Sequence, residues 1–247
     1  MNKPLNIPSL KTSENSLAGH VYLVTGASGG LGRIAALALA KQGASVILTG
    51  RRIKRLESVY DEIEQAGYPQ AALIPFDLEQ KDEAIYQQLI NSIYNEFKRL
   101  DGIINAASDL GIVGPVGSQD SDIWTKVQQV NVQACFLLSK VCLPLLQQSS
   151  AASIIFISDS SARCSKPYWG AYGVSKAAIE SYSAMLADEL DASSVVCNVF
   201  IPGPSMLPTR KKTHPAEDET TLHSEQKVAD SLIGVIKSRQ TGQTYMI

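Results

Sequence analysis

The sequence has few cysteines and few histidines, and their spacing is not that of a metal site. Its four cysteines include no CxxC pair, and they show no zinc-type spacing with the three histidines. We therefore expect no bound metal. Cysteines without such pairing also favour a reducing, cytoplasmic setting.

An excess of charge of one sign is missing as well. The chain has 22 Lys and Arg residues against 24 Asp and Glu residues, which leaves a net charge of −2. Because no basic excess can neutralise phosphates, we expect no nucleic-acid partner and no membrane partner. The first 17 residues lack the apolar segment of a signal peptide, and no apolar run approaches the length that spans a bilayer.

What is present is a chain long and apolar enough for one full hydrophobic core. It has 247 residues, of which 45% are hydrophobic, and this size fits one domain rather than two small ones. We expect residues 18–247 to form that domain and residues 1–17 to form a flexible N-terminal arm.

Short β-rich runs alternate with longer helical patterns along the chain. The predicted strands cover residues 21–26, 44–50, 71–77, 101–107, 153–158 and 195–203. Helical patterns lie between them, including a long one around 124–146 and another from about 172 to 190. Runs such as VILT and SIIFI are apolar throughout, as strands buried on both faces must be. The alternation predicts an α/β protein with a Rossmann-type, doubly wound parallel sheet.

A glycine-rich turn, TGASGGLG, follows the first apolar strand and opens an amphipathic helix. Its glycines permit a tight turn, let the backbone approach a pyrophosphate, and allow close packing of helix on strand. An ordinary strand-to-helix turn also uses glycine, but the strand, the spacing and the helix together favour a dinucleotide site. The candidate cofactor contacts in this turn are Gly26, Ser28, Gly30, Leu31 and Gly32.

The end of the second predicted strand indicates which dinucleotide is bound. An NAD site places Asp or Glu near this point, where the carboxylate accepts from the ribose 2′-hydroxyl. Here the strand ends in Thr49-Gly50-Arg51-Arg52, without an acid. Arginine matches a 2′-phosphate with two parallel hydrogen bonds, so we expect NADP(H), bound through Arg51. One of the two arginines can instead be a solvated residue of the next helix.

The segment WGAYGVSK places Tyr172 and Lys176 four residues apart, on one face of a helix. A tyrosine hydroxyl, with a pKa of about 10, transfers protons poorly at neutral pH unless its phenolate is stabilised. The positive charge of Lys176 can do this. A pair at this spacing is usually an ordinary surface pair. Here it follows a strand end and a glycine-rich turn, which favours a catalytic acid/base at Tyr172.

Taken together, these motifs resemble those of the short-chain dehydrogenase/reductase family, in its small single-domain branch. The matched positions are Thr25, Gly26, Gly30 and Gly32 of TGxxxGxG, residues 105–108 of the NNAG-like motif, Asn131, Tyr172 and Lys176 of YxxxK, and Pro202-Gly203. Ala107 stands where the family usually has glycine. The resemblance extends from about residue 18 to the C-terminus, and it is strongest to the YciK-type bacterial oxidoreductases.

The resemblance implies a three-layer α/β/α sandwich that acts on a small carbonyl or alcohol substrate, and a homodimer or homotetramer. Besides the residues above, the cofactor contacts that it implies are Asp77, Leu78, Asn105, Ala106, Ala107, Tyr172, Lys176, Pro202, Gly203 and Ser205. It also implies that Asn131 holds a water that relays protons. The segment 204–224 resembles a mobile substrate lid.

Asp159 departs from the family pattern. Thirteen residues before the tyrosine the family generally has a serine that polarises the substrate carbonyl, and here that position is Asp159. A bulge or turn could bring Ser158 or Ser160 into the site instead, and Ser161 has the matching parity only if the strand continues that far. A protonated Asp159 could donate a hydrogen bond itself, whereas an ionised one could oppose the phenolate and slow the enzyme. We favour Asp159 as the residue in the site.

The sequence therefore predicts an NADP(H)-dependent oxidoreductase that transfers a hydride between nicotinamide and a carbonyl or alcohol. Tyr172 is the acid/base, and Lys176, Asn131 and Asp159 complete the catalytic group. The alternative is an NADP-binding regulatory or scaffold protein of the same fold with impaired catalysis, which the departures at Ala107 and Asp159 favour.

Overall fold

Eight parallel strands form a single sheet in the computed structural model, which describes residues 3–7, 15–160, 163 and 166–247. The strands are β1 Leu5–Asn6, β2 Val21–Thr25, β3 Ser45–Gly50, β4 Ala72–Pro75, β5 Gly102–Asn105, β6 Ser153–Ile157, β7 Val196–Ile201 and β8 Thr244–Met246. Their order across the sheet is β1-β8-β7-β6-β5-β2-β3-β4. The doubly wound parallel sheet predicted from the sequence is confirmed.

The central strands are buried along their whole length, which explains why their sequences are apolar rather than alternating. Every residue of β2, β5, β6 and β7 is buried. Such strands have no solvent face because helices cover both sides of the sheet. The edge strand β4, in contrast, contains no fully buried residue.

Helices cover both faces of the sheet and complete three layers. In the described part of the chain they are α1 Gly30–Lys41, α2 Ile53–Gln65, α3 Glu83–Phe97, α4 Ser121–Gln128, α5 Ala134–Leu146, α6 Gly170–Glu189, α7 Pro208–Thr213 and α8 Glu225–Lys237. The buried side chains of α1, α2 and α8 share one hydrophobic core with the sheet. Those of α3, α5 and α6 form a second core on the opposite face.

The helices α4 and α5 are joined by a π-helical segment, Gln129–Gln133, into one helical run from Ser121 to Leu146. By length and composition this run could cross a membrane, which corrects the expectation that no segment approaches that length. However, 67% of its apolar window is buried inside the protein, where it packs against α3 and α6. Its hydropathy is therefore that of a core helix.

Two short strands, β1 and β8, extend one edge of the sheet and were not predicted from the sequence. β1 lies within the expected N-terminal arm, and Leu5 pairs with Tyr245 of β8. The two strands have two and three residues, which is too short for a recognisable hydrophobic pattern. Part of the arm thus joins the sheet, residues 1–2 and 8–14 lie outside the described residues, and the boundary at residue 18 remains a prediction.

The strand order positions the functional site. From β2 the chain builds outward to β4, and then it returns across the sheet to β5 on the other side of β2. At such a reversal the loops beyond the carboxyl ends of the strands diverge and leave a crevice, where doubly wound proteins bind ligands. In this protein the crevice opens beyond the ends of β2 and β5.

Candidate active site

A cavity of about 640 Å³ lies at this reversal of strand order. Its walls come from the loops that follow β2 to β7 and from α6 and α7. Pockets that bind cofactors and small ligands have volumes of roughly 300–1,000 Å³, so the cavity has the size of a ligand-binding pocket.

Most residues predicted for the site line this cavity. They are Gly26, Ser28, Gly30, Leu31, Arg51, Asp77, Leu78, Ala106, Ala107, Asp159, Tyr172, Lys176, Pro202, Gly203 and Ser205. Three predicted site residues are buried and do not line the cavity, namely Gly32, Asn105 and Asn131. Neither amide atom of the buried Asn105 side chain has a hydrogen-bond partner among the described residues.

Two glycines of the first turn are required by close backbone packing. A Cβ atom on Gly32 would lie 2.2 Å from the carbonyl oxygen of Gly26. Gly26 itself has a φ of 64°, and its Cβ would lie 2.7 Å from Cα of Ala107. The hydroxyl of Thr25 also accepts from the amide of Ala107 at 3.1 Å. The turns after β2 and β5 are thus held against each other at the floor of the cavity.

The start of α1 fits an anionic group. Gly29 at the N-cap offers no side chain to the first amides of the helix, and no acidic residue lies in the first turn. Gly29 and Gly30 line the cavity, and a Cβ on Gly29 would meet nothing within 4 Å. A ligand can therefore approach the backbone closely. Helix amides without intrahelical partners attract phosphate, so this turn fits the pyrophosphate of a dinucleotide.

Three arginines at the start of α2, Arg51, Arg52 and Arg55, line the same end of the cavity. Arg51 is paired with Glu79, which is also paired with Lys126 at 2.8 Å. One carboxylate is thus shared by two cations, and this end of the cavity keeps a positive charge that suits a 2′-phosphate. The sequence interpretation considered Arg51 and Arg52 but missed Arg55. Its position one helical turn after Arg51 is the signal that could have identified it.

Tyr172 presents its hydroxyl to the cavity from the first turn of α6. The residue is 6% exposed, and this burial raises its pKa well above the ordinary value. The negative charge of Asp159 and a hydrogen bond to its carboxylate raise the pKa further, whereas the Ser108 side chain lowers it. The hydroxyl therefore keeps its proton at neutral pH, as a proton donor must.

Lys176 lies one turn farther along α6 and is 4% exposed. Its Nζ donates to the carbonyl oxygen of Ile157 at 2.9 Å and lies 5.3 Å from the centroid of the Tyr172 ring. Burial lowers the pKa of Lys176, whereas Cys135 and Asp159 raise it. A cation in this position can stabilise a phenolate at Tyr172.

Asn131 lies in the π-helical segment, a distortion that is frequent at functional sites. Its Oδ1 accepts from the amide of Asp109 at 2.8 Å, and its Nδ2 donates to the Asp109 carbonyl and to the Ser175 hydroxyl, both at 2.9 Å. Its side chain thus ties the loop after β5 to α6. The water-holding role implied by the resemblance remains a prediction.

The side chain that reaches Tyr172 from the end of β6 is that of Asp159. The amide of Ser158 still pairs with the carbonyl of Phe200 on β7 at 3.0 Å, so the chain stays extended through this residue. The hydroxyl of Ser158 donates to Glu180 at 2.6 Å, while the carboxylate of Asp159 interacts with Tyr172. The geometry thus favours Asp159 over Ser158. Ser160 does not line the cavity, and Ser161 lies outside the described residues.

The predicted lid, residues 204–224, contributes α7 to the cavity wall. Arg210 of α7 pairs with Glu217, with Nε and Oε2 2.6 Å apart. The pKa of Arg210 is raised mainly by this hydrogen bond, and the charge of Asp159 adds to the effect. This segment therefore contributes a cation that interacts with the charge of Asp159. The sequence does not reveal the interaction, because the two residues are far apart in the chain.

An aromatic wall connects the lid to the tyrosine. The ring centroid of Trp169 lies 5.7 Å from that of Tyr172 and 6.2 Å from that of His214, which follows α7. Trp169 also lines the cavity. The wall gives the space next to the Tyr172 hydroxyl an apolar side.

Comparison with known proteins agrees with this geometry. A family model described as short chain dehydrogenase matches residues 20–218. The chain is 37% identical over 235 residues to the uncharacterised oxidoreductase YciK of Escherichia coli K12. The alignment covers 94% of this chain and 93% of that protein. A short chain dehydrogenase of Salmonella enterica serovar Typhi CT18 has a TM-score of 0.92 at 36% identity, with 96% of this chain and 99% of that one covered.

A further related structure contains a cofactor. The short chain dehydrogenase of Escherichia coli CFT073 complexed with NADPH has a TM-score of 0.90 at 36% identity, covering 95% of this chain and 99% of that one. The resemblance inferred from the motifs is therefore confirmed, including its YciK-type branch. Since the family model and these relatives each span most of the sequence, the chain belongs to the short-chain dehydrogenase/reductase family of oxidoreductases.

Proposed function

We propose that this protein is an NADP(H)-dependent oxidoreductase that acts on a small carbonyl or alcohol substrate. The proposal rests on the residues that line one cavity. Three arginines, the start of α1 without a side-chain cap and a protonated tyrosine, Tyr172, all line it. NADPH, when bound, supplies the hydride. The NADPH complex of the related Escherichia coli protein supports the choice of cofactor.

Tyr172 transfers the proton. When the carbonyl is reduced, negative charge develops on its oxygen, and the Tyr172 hydroxyl gives a proton to it. The phenolate that remains is stabilised by Nζ of Lys176, which lies 5.3 Å from the ring centroid. A scaffold protein has no need of this buried Tyr-Lys pair, so the arrangement supports an enzyme.

Asp159 controls how readily Tyr172 gives up that proton. An ionised carboxylate next to the hydroxyl opposes formation of the phenolate, since it raises the pKa of Tyr172. A neutral carboxyl has no such effect and can donate a hydrogen bond to the carbonyl oxygen. We therefore expect a neutral carboxyl at Asp159 to favour reduction and an ionised carboxylate at this position to slow it.

A panel of small aldehydes and ketones, assayed with NADPH, tests the function directly. We expect oxidation of NADPH, followed by nicotinamide absorbance, with at least one carbonyl class, and the reverse reaction with NADP⁺ and the matching alcohol. Substrates with an apolar group should react best, because Trp169 lines the cavity. Tight binding of NADPH without turnover on a broad panel in either direction would contradict the proposal.

The arginine cluster predicts a preference for NADPH over NADH. Replacing Arg51 with alanine should raise the Kd for NADPH roughly tenfold or more, because a hydrogen bond to a charged group contributes about 1.5–3 kcal/mol. The Kd for NADH should change little, since that cofactor has no 2′-phosphate. Fluorescence titration of the free enzyme with each cofactor measures both constants.

Lys54→Ala is the matched control for this measurement. Lys54 is an exposed cation on α2 that does not line the cavity, so its removal should leave both cofactor constants unchanged. Equal affinity of the unmodified protein for NADPH and NADH at moderate salt would show that the arginines do not select the cofactor.

A further inference from the structure

Glu180 is a buried carboxylate on α6 that neither the cofactor site nor the proton transfer uses. It is 5% exposed and stands four residues after Lys176, a spacing at which a helical ion pair is expected. Lys176 instead directs its Nζ to the carbonyl of Ile157. The partners of Glu180 among the described residues lie on the segment that follows β6.

The two partners, Ser158 and Arg163, bind different oxygens of Glu180. The Ser158 hydroxyl donates to Oε1 at 2.6 Å, and Nη2 of Arg163 lies 2.7 Å from Oε2. The side chain of Arg163 is 14% exposed and that of Glu180 is 3% exposed. Because a buried charge is costly without its partner, neither group can leave the pair easily.

The residues that contact Glu180 flank Asp159 in the sequence, since Ser158 precedes it and Arg163 follows it. Tyr172 and Glu180 are eight residues apart on α6, which corresponds to about 12 Å along the helix axis. Ser158 reaches Glu180, and the next residue, Asp159, reaches Tyr172. Because Ser158 and Asp159 are adjacent in the chain, fixing Ser158 restricts the positions that the Asp159 carboxyl can take.

We propose that Glu180 is a positioning residue, which holds Ser158 and Arg163 and thereby holds the Asp159 carboxyl against the Tyr172 hydroxyl. The inference rests on the proposed function, in which Tyr172 is the acid/base. The contact between Asp159 and Tyr172 can nevertheless be measured without a substrate, so an experiment can contradict one proposal without the other.

The substrate-free readout is the NMR signal of the tyrosine ring. In protein labelled with ¹³C at the tyrosine ζ-carbon, Tyr172→Phe identifies the Tyr172 signal, and Asp159→Asn identifies the part of its pH titration that comes from Asp159. Among the described residues, Lys176 of α6 and Arg210 of α7 also interact with the charge of Asp159. The step that Asp159→Asn removes from the Tyr172 titration, called the acidic step below, therefore reports the contact between Asp159 and Tyr172.

We expect Glu180→Gln to remove most of this acidic step, because the amide can still accept from Ser158 but no longer pairs with Arg163. Glu189→Gln, which changes an exposed carboxylate of the same helix, should keep the full step. An unchanged step in Glu180→Gln, or the absence of any step in the unmodified protein, would overturn the proposal.

A second variant covers the case in which Glu180→Gln does not fold. The double change Arg163→Met with Glu180→Leu leaves no unpaired charge inside the protein, and such replacements of buried pairs are well tolerated. We expect this variant to fold and to bind NADPH within about twofold of the unmodified protein, yet to lack the acidic step of Tyr172. A full step in the folded double variant would refute the positioning role.

Turnover provides the second readout once a substrate is known. In Glu180→Gln the pH dependence of kcat should lose the limb that Asp159 produces, while the Kd for NADPH stays within about twofold. A purely structural role would instead lower kcat equally at every pH. If no substrate is found at all, the proposed function fails and the NMR titration still decides the role of Glu180.

Discussion

Replacing Tyr172 with phenylalanine should lower kcat by roughly 10²- to 10⁴-fold, the usual contribution of a positioned general acid. The change removes only the hydroxyl, so the ring should keep its contacts with Trp169 and with Nζ of Lys176. Binding of NADPH should therefore persist. Steady-state kinetics with the best substrate of the carbonyl panel, together with fluorescence titration of NADPH, measures both effects.

Tyr168→Phe is the matched control for this variant. Tyr168 lies four residues before Tyr172, is 59% exposed and does not line the cavity, so loss of its hydroxyl should leave kcat unchanged. A Tyr172→Phe enzyme that retains nearly the full rate would mean that Tyr172 is structural and that another group supplies the proton.

Changing Asp159 to serine should raise kcat for carbonyl reduction about tenfold or more near neutral pH. The Asp159 charge and its hydrogen bond raise the pKa of Tyr172, so their removal lowers that pKa and eases proton transfer. Each unit of pKa corresponds to a factor of ten in the equilibrium. Any pH dependence of kcat that the Asp159 carboxyl causes should also disappear, because serine has no carboxyl group. A pH profile of kcat for both proteins tests the two effects.

Asp159→Asn separates charge from hydrogen bonding, since it keeps the shape of the side chain. If charge is the cause, the asparagine variant should flatten the pH profile as the serine variant does. Ser160→Ala tests the neighbouring hydroxyl, whose loss should cost about a hundredfold if that serine polarised the substrate. An unchanged profile in Asp159→Ser together with an inactive Ser160→Ala would assign the role to Ser160 and contradict ours.

The fold and the glycine-rich turn beside the cavity could be predicted because their signals are local in the sequence. Strands buried on both faces must be apolar throughout, so β2 and β6 were recognisable from short runs. The glycine turn was recognisable because Gly32 has no room for a Cβ. Strands β1 and β8 could not be found in this way, since two or three residues show no pattern.

The network around the cavity could not be predicted, because it joins residues that are far apart in the chain. Arg51 pairs with Glu79, 28 residues away, and the sequence offered several other acids. Arg210 of the lid comes near Asp159 only through the packing of α7 over the cavity. Side-chain pairs of this kind depend on tertiary distance, on which sequence spacing carries no information.

By itself the sequence determined the family, the doubly wound sheet, the glycine-rich turn after β2 and the presence of a carboxylate where a serine is usual. Only the tertiary structure decided which side chain after β6 reaches Tyr172 of α6. The Ser158 hydroxyl is held by Glu180, whereas the Asp159 carboxylate interacts with Tyr172. Burial strengthens the effect of this contact on the pKa of Tyr172, because little water screens the Tyr172 hydroxyl from the charge of Asp159.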